Sequence, residues 1–537
     1  MYDFNLTDSH APAQQDTDVR DTTVGALLRE VAAATPDAPA LVEIGIDGNT
    51  GRRWTYGELL ADAKRLALAL STRFVAGERI CVWAPNVPEW VLMEYACGLA
   101  GLTLVTANPA YQVAELAYVL KQSRSVALFR TTEYRGNPMA DIAVEAAADL
   151  SAIREIVDIE DREALNRHGD RTPALPTVTA DRAAQIQYTS GTTGFPKGAV
   201  LSHRSLTNNA RFFTLRTGGG ADAVWACFMP LFHTAGCGMT TLGCLQIGAT
   251  LVVMKQFDAG TVLRLIGQEG ISAFVAVPTM LVAMLEVMEH EDADISPMQT
   301  VVSGGSMVAP ELVRRVTQTF GCAFQTVYGQ TECAPLITQH HHGDTLDDIC
   351  NTIGQPMPQT EVSIRSVGDN TVVALGEQGE ICVRGYCTMI EYNDNPEATA
   401  ATIDAQGWLH TGDLGTVDAR GYFRITGRVK EMIIRGGENL FTAEIENCLL
   451  EHASVAEVAV VGLPDEKWGE IVAAFIRAED GETLNRNDLH AHCRAQLSPH
   501  KTPAVWCAVD FFPLTGSGKI QKFALRDGFA AGEYAPL

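Results

Sequence analysis

The chain is 537 residues long, 46% hydrophobic and 20% charged, which excludes a disordered or fibrous protein and exceeds what one hydrophobic core serves, so two or more domains are expected. A formal net charge of −25 argues against nucleic-acid partners: an acidic surface repels phosphates, so any nucleotide must be held by local lysines, arginines, backbone donors and metal. Thirteen cysteines without CxxC or Cys/His ligand spacing read as reduced core residues, and the N-terminus lacks a basic-then-apolar signal pattern, so a cytoplasmic protein is expected.

After a polar tail of about twenty residues, positions 24–34 carry helical apolar spacing. Short β-rich runs then alternate with helical stretches: 79–84 before 89–99, 102–105 before 114–122, then 125–129. That alternation predicts a parallel sheet covered by helices. It recurs at 250–253, 259–268, 273–277 and 279–289, which predicts a second subdomain of the same kind. The longest apolar run, 271–288, is broken by Pro278 and Glu286 and reads as a buried strand followed by a helix, with no transmembrane segment.

Between these blocks lies Tyr188-Thr189-Ser190-Gly191-Thr192-Thr193-Gly194-Phe195-Pro196-Lys197-Gly198. Its glycines let backbone N–H groups approach an anion, its hydroxyls add donors, and Lys197 supplies a mobile positive charge, so it reads as a polyphosphate cradle. It is not a Walker A loop, because Gly198 rather than Ser or Thr follows the lysine and Pro196 favours extended geometry before it.

Beyond residue 351 the texture changes to strands and turns at 361–365, 379–384 and 421–426, a smaller β-rich subdomain. His340-His341-His342 reads as a solvated loop rather than a metal site, since adjacent histidines do not converge on one ion. From Thr442, read as an N-cap, the alternation returns with strands at 458–461, 471–476 and 505–511 and a helix near 487–496. The expected fold is thus α/β and multi-domain. A large N-terminal portion of two βαβ-type subdomains and a β-rich subdomain, residues 1–429, precedes a small α+β C-terminal domain, residues 430–537.

Four further segments share the chain with the cradle: Tyr328-Gly329-Gln330-Thr331-Glu332; Gly407-Trp408-Leu409-His410-Thr411-Gly412-Asp413; Gly427-Arg428-Val429-Lys430-Glu431 running to Gly436-Gly437-Glu438-Asn439; and Gly516-Ser517-Gly518-Lys519. In this order they resemble the acyl-adenylate-forming superfamily of acyl-CoA synthetases, aryl-CoA ligases, luciferases and peptide-synthetase adenylation domains. The resemblance spans essentially residues 20–530. It implies that a carboxylate attacks the α-phosphate of MgATP, releasing pyrophosphate and leaving an acyl-AMP that the thiol of coenzyme A captures. A carboxylic acid is already ionised at neutral pH, so the enzyme's task is to neutralise charge rather than to supply a base.

The same resemblance implies the roles. Residues 189–197 would hold the β- and γ-phosphates, and Glu332 with Thr193 would sit near Mg²⁺. Asp413 would accept hydrogen bonds from the ribose hydroxyls, Tyr328 would flank adenine, and Ser303-Gly304-Gly305-Ser306 would pass its backbone near the base. Arg428 would contact ribose or phosphate, and Lys430 matches the hinge. Lys519 would reach the reacting carboxylate and α-phosphate, and rotation about the hinge would exchange it for Gly436 and Gly437, which leave room for a pantetheine arm.

His233 falls where the family places an aromatic residue or histidine beside the reacting carboxylate. The surrounding walls, from Met239, Gly304, Gly305, Gly329, Cys333, Ala334 and Pro335, are small or apolar and carry no charge for a second carboxylate or an amino group. A medium-chain fatty acid or an arylalkanoic acid is the expected substrate. Delivery to a carrier protein, a luciferase-like oxidation and a catalytically silent nucleotide-binding module remain open readings at this point.

Overall fold

The computed structural model describes residues 1–189, 196–436, 438–514 and 520–537. Two largely parallel sheets organise the N-terminal portion. The first has seven strands in the order Glu391–Tyr392, Lys197–Ser202, Ala183–Thr189, Thr103–Thr106, Arg79–Trp83, Ala127–Arg130 and Glu155–Asp158. The second has nine, running from Gln355–Pro356 through Leu336–Gln339, Ala323–Gly329, Thr300–Gly304, Ala273–Ala276, Val224–Cys227, Thr250–Met254 and Pro39–Ile44 to Thr50–Thr55. Both expected βα blocks are present, one in each sheet. The run at 271–288 is the strand Ala273–Ala276 followed by the helix Pro278–Met288.

Strands buried on both faces need apolar side chains throughout, as in Ile80, Cys81, Val82 and Trp83, each at 0% exposure. Helix Pro88–Ala100 is buried on every side and is accordingly uncharged except at Glu89, which pairs with Arg52, and Glu94. Its Glu94 is an exception within that core. Gln185 donates to the Glu94 carboxyl at 2.6 Å, and burial pushes that carboxyl well above the usual carboxylate range.

A five-stranded sheet of His10–Ala11, Thr360–Arg365, Gly379–Gly385, Leu409–Val417 and Phe423–Arg428 forms the β-rich subdomain. The C-terminal unit is a second five-stranded sheet, Glu438–Leu440, Ile433–Arg435, Gly469–Ala478 and Val455–Asp465, with Val505–Ala508 pairing parallel to Gly469–Ala478. It has its own apolar clusters around Ile445, Val460 and Phe475, which is what makes it a separate unit. All thirteen cysteines are free thiols, twelve of them buried. Among the described residues no helix is long and apolar enough to cross a membrane.

Two local expectations are corrected. Thr442 is the first residue of helix Thr442–Leu450 and Phe441 holds the N-cap position. The Thr442 hydroxyl instead faces the Lys522 ammonium at 3.2 Å, a stronger partner than a backbone N–H. His340 is fully buried rather than solvated, because its ring satisfies Thr326 at 2.6 Å on one nitrogen and Thr352 at 2.9 Å on the other.

A buried cation, with Asn209 bonded to the Leu336 backbone, ties helix His203–Thr217 to the second sheet. Arg216, 6% exposed, donates Nη1 to the carbonyls of Gln339 at 2.9 Å and Gln355 at 2.8 Å, and Nη2 to that of Pro356. Removing the guanidinium orphans three buried carbonyls. Arg216→Met is expected to destabilise the N-terminal portion by about 3 kcal/mol or more. A lowered urea midpoint measures this; an unchanged midpoint contradicts it.

Candidate functional site

The strands flanking the glycine- and threonine-rich run pair antiparallel, and Thr189 and Lys197 are Cα partners at its mouth, with Thr189 Oγ1 donating to the Lys197 carbonyl at 3.4 Å. Ser190, Gly191, Thr192, Thr193 and Gly194 lie outside the described residues. Lys197 is half-buried, and its Nζ stands 4.8 Å from the ring centroid of Tyr392, over the face of the phenol.

Glu332 arrives from the second sheet. Strand Ala323–Gly329 ends at Gly329, Gln330 donates its N–H to the Pro335 carbonyl at 2.9 Å, and the 3₁₀ turn Thr331–Cys333 carries Glu332, 8% exposed. Tyr392 donates its hydroxyl to Glu332 Oε1 at 2.6 Å. Burial and the Glu332 carboxylate push the Tyr392 hydroxyl far above the usual phenol range, so it stays protonated and donating. Tyr392 belongs to the two-residue strand Glu391–Tyr392, which pairs with Lys197–Ser202. The sequence reading did not single it out, because nothing in a two-residue strand announces which sheet it joins.

Asp413 lies in strand Leu409–Val417 opposite Arg428 in Phe423–Arg428. Asp413 is 5% exposed; its Oδ1 faces Arg428 Nε at 2.8 Å, and its Oδ2 accepts from Tyr328 OH at 2.9 Å. Tyr328 is therefore a buried partner of Asp413, 7% exposed. The turn before Asp413 has a holder the sequence reading missed. Glu380 accepts the Gly412 N–H at 2.9 Å on one oxygen and faces His410 Nδ1 at 2.8 Å with the other.

Gly304 ends strand Thr300–Gly304, with Gly305 and Ser306 exposed beyond it. A Cβ at Gly304 would stand 2.4 Å from the Val327 carbonyl oxygen, and one at Gly329 would stand 1.9 Å from that of Pro335. Both positions require glycine to let backbone segments pass, whatever binds beside them.

His233 is half-buried, and its Nδ1 accepts the Ala235 N–H at 3.2 Å. A backbone N–H can only donate, so the neutral ring carries its proton on Nε2. A π-helix, Ala235–Thr241, follows; Thr240 and Thr241 donate their hydroxyls five residues back, to Ala235 at 2.9 Å and Gly236 at 3.0 Å. Met239, Cys333 and Ala334 are buried apolar residues. The buried hydroxyls of Thr234, next to His233 in the chain, and of Ser303 in strand Thr300–Gly304 have no hydrogen-bond partner among the described residues.

In the C-terminal unit, Lys430 is exposed on the 3₁₀ turn Val429–Glu431. Gly436 donates its N–H to the Trp468 carbonyl at 2.7 Å, and a Cβ there would lie 3.0 Å from the indole. Gly437 and Lys519 lie outside the described residues. Lys522, three residues past Lys519 in the chain, is ion-paired to Glu431 at 2.6 Å and Glu446 at 2.8 Å. The structure thus brings Lys197 and Glu332 together around Tyr392, and Tyr328 and Arg428 together on Asp413, while Gly436 sits against Trp468 within its own unit.

A pair of α/β sheets, a lysine and a buried carboxylate brought together from the two of them, and a separate C-terminal unit are the frame of a two-domain enzyme. Residues 28–393 match the AMP-binding enzyme family and residues 444–519 the AMP-binding enzyme C-terminal domain. YngI of Bacillus subtilis (strain 168), which carries an acyl-CoA synthetase name, is 36% identical over 535 residues, covering 94% of this chain and 97% of its own. The human mitochondrial medium-chain acyl-CoA ligase ACSF2 is 35% identical over 540 residues, covering 94% and 87%. Among solved structures, o-succinylbenzoate CoA synthetase (MenE) from Bacillus subtilis with its acyl-adenylate intermediate OSB-AMP is 27% identical, with a TM-score of 0.83 over 95% of this chain and 99% of that one. MenE has also been solved with ATP and magnesium ion, at 26% identity and a TM-score of 0.81 over 95% and 100%. The chain belongs to the AMP-binding enzyme family, as an acyl-CoA synthetase of the acyl-adenylate-forming superfamily. It is an ATP-dependent, AMP-forming acid–thiol ligase that works through an acyl-AMP.

Proposed function

We propose that the acid is a medium-chain, apolar carboxylic acid, that the thiol is coenzyme A, and that Mg²⁺ accompanies ATP in a reducing, cytoplasmic compartment. The buried, uncharged residues around His233 support an apolar acyl chain, and the similarity to medium-chain acyl-CoA ligases at 31–35% identity favours the aliphatic reading over the arylalkanoic one. Twelve buried free thiols support a reducing compartment.

In this reading residues 189–197, with Ser190, Gly191, Thr192, Thr193, Gly194 and Lys197, hold the β- and γ-phosphates. Glu332 and Thr193 would hold the metal: a carboxylate, here buried, and a hydroxyl oxygen suit a hard, water-retaining cation. Bound there, Mg²⁺ supplies neutralisation of phosphate charge. Asp413 orients the ribose while Tyr328 and Arg428 fix its carboxylate; Gly304, Gly305 and Ser306 border adenine, as do Gly329, Gln330 and Thr331. His233 donates Nε2–H toward the acid carboxylate. Lys519 bridges the reacting carboxylate and α-phosphate, and the chain divides at 429/430, where Lys430 serves as hinge for the swap that brings Gly436 and Gly437 to the thiol.

The observation that carries this reading is the Tyr328–Asp413–Arg428 arrangement. A buried carboxylate whose two oxygens are each oriented by a neighbouring side chain has the chemistry to face two adjacent ribose hydroxyls. Incubation with ATP, Mg²⁺ and CoA against fatty, arylalkanoic, cinnamic and dicarboxylic acids tests it, followed by mass spectrometry of AMP and CoA esters. Medium-chain acyl-CoA with AMP is expected. Preferential aryl esters would overturn the acid class, and AMP without any CoA ester would point to a carrier-protein acceptor.

A further inference from the structure

Lys197 and Glu332 carry opposite charges, come from different sheets and face the same side chain, yet make no ion pair with each other. Tyr392 stands between them. Its hydroxyl donates to Glu332 Oε1 at 2.6 Å, and its ring face lies 4.8 Å from the Lys197 ammonium. The backbone around it links the same two partners: Met389 donates its N–H to the Glu332 carbonyl at 2.7 Å, while Ile390 and Asn393 donate theirs to Val200 at 2.8 Å and Gly198 at 2.7 Å in the strand that begins at Lys197. The segment 389–393 is therefore hydrogen-bonded to both halves of the site. Tyr392 itself is anchored by its N–H to Thr399 Oγ1 at 2.9 Å, and it is 6% exposed.

A lysine and a carboxylate this close to one phenol would pair directly if the phenol were absent. Such a pair would spend the cation on Glu332 instead of on phosphate, and would occupy the carboxylate instead of leaving it for metal. Neutral partners avoid this. A phenol O–H satisfies a carboxylate without cancelling its charge, and an aromatic face holds an ammonium through its quadrupole. Both contacts yield to stronger incoming ligands, since neither is an ion pair.

We infer that Tyr392 is a positioning residue that keeps Glu332 and Lys197 apart and separately available, one for the metal and the other for the nucleotide phosphates. The inference rests on the proposed roles of Glu332 and Lys197. The phenol hydroxyl and ring face are the means: Tyr392 does not itself touch the reacting atoms, and its effect passes through the two charged groups.

The test is equilibrium binding of α,β-methylene-ATP, titrated calorimetrically in Mg²⁺ and in EDTA, so that the Mg²⁺ enhancement of affinity is read without turnover. Tyr392→Phe should reduce that enhancement by about tenfold, because the released carboxylate pairs with Lys197. Lys197→Met should weaken binding in both media. Combining Lys197→Met with Tyr392→Phe should restore the enhancement, since no ammonium remains to capture Glu332; a purely structural role for the tyrosine predicts no such rescue. Wild-type enhancement in Tyr392→Phe, or a double variant no better than Tyr392→Phe, overturns the inference. Glu332→Gln separates it from its premise: if that variant keeps full Mg²⁺ enhancement, the metal role of Glu332 fails and the inference with it. If Glu332→Gln loses the enhancement while Tyr392→Phe keeps it, only the positioning role fails. Should Tyr392→Phe not fold, Tyr392→Trp, which keeps an aromatic face but has no hydroxyl at that position, is expected to give the same loss and the same rescue.

Discussion

Replacing Asp413 by alanine is expected to raise KM for ATP by about a hundredfold or more, with a smaller loss of stability of about 1–3 kcal/mol. The two effects have separate origins. The kinetic loss comes from removing the only acidic side chain that the ribose reading assigns to the two sugar hydroxyls. The stability loss comes from Tyr328, whose buried hydroxyl loses its 2.9 Å acceptor, whereas Arg428 is half-exposed and can turn to water. Asp413→Asn retains the shape and an acceptor oxygen, so it should recover much of the stability while keeping most of the kinetic defect. Acid-dependent pyrophosphate–ATP exchange and thermal unfolding measure the two quantities. A KM for ATP within about threefold of wild type in Asp413→Ala, at normal stability, would remove the ribose role.

Lys519→Ala is expected to slow acyl-AMP formation by about a thousandfold while leaving the capture of supplied acyl-AMP by CoA within a few-fold. In the first half-reaction two anions meet, and in the proposed role the Lys519 ammonium would offset their repulsion as the new bond forms. The second half-reaction begins from the acyl-AMP and needs no such bridge. Single-turnover measurements of each half-reaction separate them. Equal loss in both would refute the division of labour, and no loss in either would remove Lys519 from the chemistry.

Much of the fold could be read from periodicity because the parallel strands are buried on both faces. Runs such as 79–84 and 250–253 announce themselves by continuous apolar residues after their first position, and the structure places strands at Arg79–Trp83 and Thr250–Met254. The errors fall where a tertiary partner overrides a local signal. Thr442 has the chemistry of an N-cap but lies within reach of Lys522, and His340 sits in a polar run but has two buried hydroxyl partners.

The residues of the proposed site that the sequence singles out lie in contiguous motifs: Lys197 near the end of its run, Glu332 in Tyr-Gly-Gln-Thr-Glu, and Asp413 after Thr-Gly; the structure brings the first two to one side chain, Tyr392. The site was not legible where a residue acts only through pairing. Tyr392 gains its place from the antiparallel contact of Glu391–Tyr392 with Lys197–Ser202, and Glu380 gains its hold on Gly412 because strands Gly379–Gly385 and Leu409–Val417 are neighbours. Neither partnership has a sequence spacing to announce it. Gly304 and Gly329 show the converse: the sequence reads them as space for a ligand, whereas backbone crowding against Val327 and Pro335 already dictates glycine.

The central claim is that the acid's own oxygen attacks the α-phosphate of ATP. Acid labelled with ¹⁸O in its carboxyl group tests this directly, with CoA present and the products analysed by mass spectrometry. Attack at the α-phosphate followed by thiol capture at the acyl carbon leaves one labelled oxygen in each AMP and none in pyrophosphate. Unlabelled AMP, or ADP with labelled phosphate, would contradict it.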